Sequence, residues 1–246
     1  MDKIGELKKI IDKSEYIVFF GGAGVSTESG IPDFRSEKGL YQAKEEYGHS
    51  PEEILSIKFF TKHMDIFYKY HMENIIHKDA EPNWAHKGLA KLEEIGKLKA
   101  IITQNIDGLH QKAGSKNVLE LHGSVYRNYC MVCGKEYDLD YVLKASTVPK
   151  CSECGGNIRP DVVLYGEGLD EKIINKSVEY ILKADALIVG GSSLVVHPAA
   201  GLIRYFNGDN LVLINKTPTQ FDSSANLTIR KPIGEVFKEI SETYNE

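Results

Sequence analysis

Apolar positions change period along the chain, and each change marks an element. Ile4, Leu7, Ile10 and Ile11 recur at helical spacing, so the chain opens on an amphipathic helix. The run Tyr16-Ile17-Val18-Phe19-Phe20 has no polar break and predicts a strand buried on both faces. A glycine-rich loop follows at once. Residues 36–50 have no clear period and predict a mobile loop, and 51–77 predict one or two helices with Pro51 at a start position. Ala85, Leu89, Leu92 and Ile95 share a helical face between Asn83, a candidate N-cap, and Gly96, a candidate stop. Strands are predicted over 98–105 and 117–121. After a cysteine-bearing insert at roughly 125–158, a helix at 170–183, a strand at 185–190, a helix from Pro198 and a strand at 210–215 are predicted. Ile233, Val236, Phe237 and Ile240 place a final helix. Strands alternating with helices imply an α/β fold, a parallel sheet covered on both faces. The insert and the helical piece at 40–80 interrupt that rhythm and could form a smaller second domain.

The bulk properties narrow the function. The chain of 246 residues is 42% hydrophobic, enough to bury a sizeable core. Its formal net charge of −5 supplies no general basic field, so nucleic acid is an unlikely partner. No apolar run approaches the roughly 18 residues that cross a bilayer, and the charged N-terminus has no signal-peptide core. The expectation is a soluble, cytoplasmic protein without a membrane partner.

Candidate chemistry sits mainly at strand ends. Gly22-Ala23-Gly24-Val25-Ser26-Thr27 follows the first strand, where glycine permits a tight turn and close approach of backbone N–H groups to a pyrophosphate. The fit to the dinucleotide fingerprint is partial, since Thr27 stands in place of the third glycine, and glycine clusters also serve as plain turns. The polar cluster Ser26, Thr27, Ser29, Asp33 and Arg35 departs from a hydride-transfer enzyme. Arg35 could clamp a phosphate and Phe34 could shield a reactive centre, or the two could be a solvated and a buried turn residue. Thr103-Gln104-Asn105-Ile106-Asp107 ends another strand; its polar groups read either as ligand contacts at a carboxyl edge or as helix caps. His122, after the next strand and before Gly123, can titrate near neutrality. Ser192, Ser193 and Asn215 end later strands. The segment 159–167 holds an extended Val-Val-Leu-Tyr core whose free edge could take a peptide by backbone pairing.

Cys130-x2-Cys133 and Cys151-x2-Cys154, 17 residues apart, have zinc-ribbon spacing. Gly134 and Gly155 follow each pair, where a knuckle turn favours glycine. Four thiolates fill a tetrahedral shell, so the role is structural. A redox pair or two disulfides are the competing readings.

In order and spacing, Gly22–Arg35, Thr103–Asp107, His122-Gly123, the two cysteine pairs, Arg159–Glu167, Gly191–Pro198 and Ile214-Asn215 resemble the sirtuin family, in a compact bacterial form with little beyond the catalytic core. The resemblance runs from about residue 4 to 240. It implies an NAD-dependent protein lysine deacetylase that yields nicotinamide and O-acetyl-ADP-ribose. It implies a Rossmann-like domain (1–39, 81–124, 159–246) and a small domain made of a helical module (40–80) and a zinc module (125–158). By resemblance, Ala23, Thr27, Phe34, Arg35, Gln104, Ser192, Ser193, Asn215 and Ile233 contact NAD. Asn105, Ile106 and Asp107 line the nicotinamide pocket and His122 is the general base. Val163, Gly166 and Glu167, with Val195 and Val196 opposite, hold an acetylated protein or peptide as an extended strand. One structural Zn2+ sits on the four cysteines. Tyr165 stands where Phe is usual and Ser192 where Thr is common, and His197 falls at a variable position. Tyr68-Lys69-Tyr70-His71 lacks the arginine that accompanies succinyl or malonyl preference. Mono-ADP-ribosyl transfer, removal of longer acyl groups, and a non-catalytic NAD-sensing or nucleic-acid module are the alternatives.

Overall fold

The computed structural model of the protein describes residues 2–32 and 43–243. Its strands are β1 (Ile17–Gly21), β2 (Leu98–Thr103), β3 (Val118–Glu120), β4 (Gly123–Cys130), β5 (Glu136–Asp138), β6 (Ile158–Val162), β7 (Ala186–Gly190), β8 (Asn210–Ile214) and β9 (Leu227–Ile229). A six-stranded parallel sheet runs β3-β2-β1-β7-β8-β9. This is the strand order of a dinucleotide-binding doubly wound fold, with the order reversing between β1 and β7.

Every residue of β1 and β7 is buried, as their unbroken apolar runs require. Alternate side chains feed two cores. Ile17 and Phe19 pack with the helices Lys3–Lys13, Trp84–Glu94 and Ile233–Thr243 through Leu7, Leu89 and Phe237. Val18 and Phe20 pack on the opposite face against Ile181 of the helix Glu171–Lys183 and Ile203 of a 3-10 helix, Ala199–Tyr205. Local chemistry sets the boundaries. Asp2 accepts the Ile4 N–H and Asp170 accepts those of Lys172 and Ile173, satisfying first-turn donors.

The segment 51–77 is more broken than its sequence pattern suggests. It forms short helices over Pro51–Ile54, Ile57–Phe60 and Met64–Tyr70, the last running into a wider turn, His71–Ile75. Ser50 and Ser56 cap the first two through the N–H groups of Glu53 and Phe59. Residues 43–47 are helical too, whereas a loop was expected across 36–50; positions 36–42 of that expectation lie outside the described residues. Strands β4–β6 form an antiparallel sheet in the order β5-β4-β6. Phe60, Phe67 and Tyr68 share one apolar cluster with Cys130, Val142, Cys151 and Ile158, and the Tyr68 hydroxyl donates to the Ile158 carbonyl at 2.6 Å. The helical piece and the insert are thus one packed body beside the large sheet.

Three buried histidines give the fold a pH dependence. His71, His86 and His110 are at most 1% exposed. His86 Nδ1 accepts the Asn83 N–H at 3.3 Å, while His86 Nε2 and both ring nitrogens of His110 have no hydrogen-bond partner among the described residues. Burial pushes His71 and His86 down to about 4. Burial, and after it the neighbouring His86, pushes His110 well below its ordinary value. These rings stay neutral in the folded chain and protonate near pH 6.5 when unfolded, so stability is full above that pH and falls as pH drops towards 4. We expect each of His71 and His86 to contribute about 3 kcal/mol of loss across that window. Urea titrations at pH 7, 5.5 and 4 should show this, with a shallower slope for His86→Leu. A flat profile would contradict it.

Candidate active site

The reversal of strand order between β1 and β7 opens a crevice at their carboxyl ends, the place where open α/β sheets bind ligands. There two glycine turns meet. The Gly22 N–H donates to the Gly190 carbonyl at 3.2 Å and the Gly24 N–H to Gly191 at 2.8 Å. A Cβ on Gly24 would lie 2.8 Å from the Gly191 Cα, and one on Gly191 (φ +58°) 2.3 Å from the Val25 nitrogen. The glycines therefore serve close approach of loop to loop. Their N–H groups are used within the protein, whereas a pyrophosphate was expected to take them.

Behind this turn lies a directed hydrogen-bond relay. Asn105 Nδ2 donates to Ser26 Oγ at 3.0 Å, and Ser26 Oγ donates to Asp107 Oδ2 at 2.6 Å. Asp107 Oδ1 accepts the Leu109 N–H at 3.0 Å. Burial pushes the Asp107 carboxyl above its ordinary value, against the hydrogen bonds from Ser26 and Leu109, although one edge of the residue stays accessible. Asn83 secures the loop from below: its Nδ2 donates to the Val25 carbonyl (2.7 Å) and Ser29 Oγ (2.9 Å), and its Oδ1 caps the helix at Ala85.

A second network faces it. Asn215 Oδ1 accepts the Ser192 N–H at 2.9 Å and its Nδ2 donates to the Ser192 carbonyl at 2.7 Å. Gln104 Nε2 donates to Ser192 Oγ at 2.9 Å. Asn215 thus shapes the serine turn, and Ser193 stands exposed at its tip. His122 completes the crevice. Its Nδ1 lies 2.8 Å from the Gln104 carbonyl, which can only accept, so Nδ1 carries the proton and Nε2 is the basic nitrogen.

One cleft collects these groups. It is lined by Gly22, Ala23, Ser26, Gln104, Asn105, Ile106, Asp107, His122, Ser192, Ser193 and Val196, together with Val163–Glu167. The helical piece adds Leu55, His71, Asn74, Ile75 and His77; of these only His71 was singled out in the sequence, as the position without the arginine of succinyl or malonyl preference.

Comparison with known proteins settles the family. The Sir2 family model matches residues 22–198. The NAD-dependent protein deacetylase of Clostridium acetobutylicum is 62% identical over 241 residues, covering 98% of each chain. That of Cutibacterium acnes is 47% identical over 235 residues, covering 96% of each. This chain belongs to the Sir2 family. A solved Sir2 structure with a p53 peptide and NAD+ aligns with it at TM-score 0.87 and 40% identity, covering 99% of both chains. Another, with 2'-O-acetyl-ADP-ribose, deacetylated p53 peptide and an inhibitor, aligns at TM-score 0.85 and 39% identity, covering 98% of this sirtuin and 99% of that chain.

Not every residue expected at the sirtuin's site is among those that line this cleft. Phe34 and Arg35, with Asp33, fall outside the described residues. Ile233 is only 3% exposed and its Cδ1 fills the space where a Gly190 Cβ would sit, 2.2 Å away. Its side chain belongs to the core, so any dinucleotide contact there would come from backbone. Thr27 turns its hydroxyl to the Gly24 carbonyl at 3.0 Å. Val195 is 65% exposed, while Val196 reaches the cleft.

The segment after β6 is bound on both flanks. The Val163 N–H donates to the His122 carbonyl at 3.0 Å, the Tyr165 N–H to Leu55 at 2.9 Å, and the Ile57 N–H to the Tyr165 carbonyl at 3.0 Å. Among the described residues, the Val163 carbonyl and the Gly166 N–H have no hydrogen-bond partner. Glu167 lines the cleft, and its carboxylate is engaged by Arg159 and the Leu164 N–H.

The four cysteine sulfurs lie within 4.8 Å of one another, with Cys130 and Cys154 at 3.4 Å and Cys133 and Cys151 at 3.6 Å. Zinc–sulfur bonds of about 2.3 Å place tetrahedral sulfurs roughly 3.8 Å apart, so the cluster fits that ion. None of the cysteines is in a disulfide. Gly134 (φ +74°) and Gly155 (φ +71°) close the two knuckles, their N–H groups donating to the Cys130 and Cys151 carbonyls at 3.0 Å each.

Proposed function

We propose that this chain is an NAD-dependent protein lysine deacetylase. The observation that carries the reading is His122, oriented by the Gln104 carbonyl, in one cleft with the Ser26–Asn105–Asp107 relay, the β1/β7 turns and an extended segment. NAD supplies a nicotinamide leaving group and an electrophilic ribose carbon, so that the acetyl group leaves lysine as O-acetyl-ADP-ribose. The chain must supply position, charge and a dry site, because an amide oxygen is a weak nucleophile that reacts only in near-attack geometry.

Each group then has a part. Ala23 and the serine turn at 192–193, held by Asn215 and Gln104, border the dinucleotide. Asp107 offers its carboxylate to a carboxamide N–H, with Ser26 and Asn105 fixing its direction. Ile106 closes the pocket to water. His122 Nε2 takes a proton from a ribose hydroxyl. Val163 and Gly166 receive the peptide backbone, with Val196 across the cleft. We group 40–80 and 125–158 as the small domain that closes over these ligands. No helix of the described residues is long and apolar enough to cross a membrane, and we place the protein in the cytoplasm.

Mass spectrometry of the purified protein with NAD and an acetyl-lysine peptide, omitting each component in turn, tests the reading. Peptide loss of acetyl with equimolar nicotinamide is the expected result; label from NAD ending on protein would favour ADP-ribosyl transfer instead.

Acyl preference follows from the same cleft. Among the described residues that line it there is no arginine or lysine. Tyr68 is 1% exposed and commits its hydroxyl to the Ile158 carbonyl, and His71 is neutral at pH 7 because burial holds it near 4. A succinyl carboxylate would be desolvated without a cationic partner. Acetyl-lysine peptide should exceed succinyl-lysine peptide in kcat/KM by at least about tenfold; equal turnover would refute this.

A further inference from the structure

One partly buried ion pair links β6 and the segment after it to the helical piece and to β4. Arg159, in β6, is 12% exposed and Glu167 23%. Nη1 donates to Oε1 and Nη2 to Oε2, each at 2.9 Å. The guanidinium lies 5.5 Å from the ring of Phe60, in the helical piece, and 5.9 Å from that of Tyr129, in β4. Nη2 also donates to the Val162 carbonyl at 3.1 Å. Beyond the pair, Glu167 closes a turn: Oε2 accepts the Leu164 N–H and the Glu167 N–H donates to the Leu164 carbonyl, both at 2.9 Å. The residues bracketed by this turn and β6 include Val163 and Gly166, whose open carbonyl and N–H border the cleft.

We propose that the Arg159–Glu167 pair is a positioning device for the acyl-lysine peptide: it fixes the 163–167 turn in its peptide-receiving shape and ties that shape to the packing of the helical piece and the cysteine-bearing sheet. The proposal rests on the deacetylase reading above. Its physical ground is geometry. A buried ion pair adds little net stability because desolvation offsets attraction, but a planar fork facing a carboxylate fixes two atoms of each partner. Lysine keeps the charge and loses the fork. Glu167 acts here through backbone, with both carboxylate oxygens occupied, and does not read a charge on the substrate.

The test is steady-state kinetics of R159K, E167Q and the double variant with an acetyl-lysine peptide and NAD, beside thermal unfolding of each. Each single variant should raise the peptide KM by about tenfold or more, with the NAD KM within about twofold and kcat at saturating peptide within about threefold of wild type. The double variant should be no worse than the weaker single, since both remove one interaction. Peptide and NAD KM rising together with a lowered unfolding temperature would overturn the proposal in favour of general support. An effect of E167Q without one of R159K would overturn it in favour of direct peptide contact. A wild-type chain that neither binds nor turns over the peptide would overturn it together with the functional reading, whereas an active wild type beside indifferent variants would overturn the pair's role alone.

Discussion

Replacing His122 by alanine should lower deacetylation at saturating NAD and peptide by about 10²–10⁴-fold, the usual contribution of a positioned general base. One hydrogen bond orients the ring. The Gln104 carbonyl accepts from Nδ1 at 2.8 Å, which selects the tautomer and leaves Nε2 as the nitrogen that would take a proton. Gln104 itself is held by β1 and the serine turn: its N–H donates to the Gly21 carbonyl at 3.0 Å and its Nε2 to Ser192 Oγ at 2.9 Å. The alanine variant leaves that frame and the Val163-to-His122 backbone bond in place, because neither uses the ring. The Gln104 carbonyl borders an open cleft, where water can replace the lost donor. The loss should therefore fall on kcat, with the unfolding temperature and the peptide dissociation constant close to wild type. Product formation within a few-fold of wild type would remove His122 from the role of base.

What the sequence revealed depended on whether a residue's purpose was local. β1, β7 and β8 were legible because a strand buried on both faces must be apolar throughout, and the cap at Asn83 because a cap answers to its own helix. β9 is three residues long, Leu227–Ile229, too short to show a period, and its place beside β8 is a tertiary fact. The glycine turn was found but its partner was not: only the fold brings Gly24 against Gly191. Ser26 was visible as part of a polar cluster, yet its link between Asn105 and Asp107 requires three segments to converge. Asn215 was visible as a polar strand end, yet its grip on the Ser192 backbone shows only in the fold. Ile75 carries no signal at all, because an apolar helical face predicts packing equally well whether it meets a core or a cleft. Arg159 stood within a recognised motif, but its bond to Glu167 is a tertiary fact that only the fold reveals.

Loss of the metal should be as damaging as loss of the base, although no cysteine lines the cleft. Cys130 ends β4 and His122 immediately precedes it, so the ligand cluster and the catalytic ring are separated by roughly 25 Å of strand, at about 3.3 Å per residue. β6 makes the same connection from Ile158 to Val162 and on to Val163. The apolar core beneath these strands is small, resting on residues such as Val125, Leu139, Val142 and Ile158, with the buried Cys130 and Cys151 among them. Structural zinc in comparable thiolate sites contributes on the order of 10 kcal/mol of folding free energy, more than so small a cluster can replace. Cys151→Ser also exchanges the sulfur that accepts from the Tyr137 hydroxyl at 3.0 Å for a shorter-reaching hydroxyl. We expect this variant to lose bound zinc, to unfold the β4–β6 sheet at a lower temperature than the large sheet, and to lose most peptide turnover, because β4 and β6 no longer hold His122 and Val163 in register. Metal analysis, calorimetry and the deacetylation assay on one preparation decide the matter. A metal-free wild-type protein with unchanged unfolding and full activity would show that the four thiols hold the insert by packing alone.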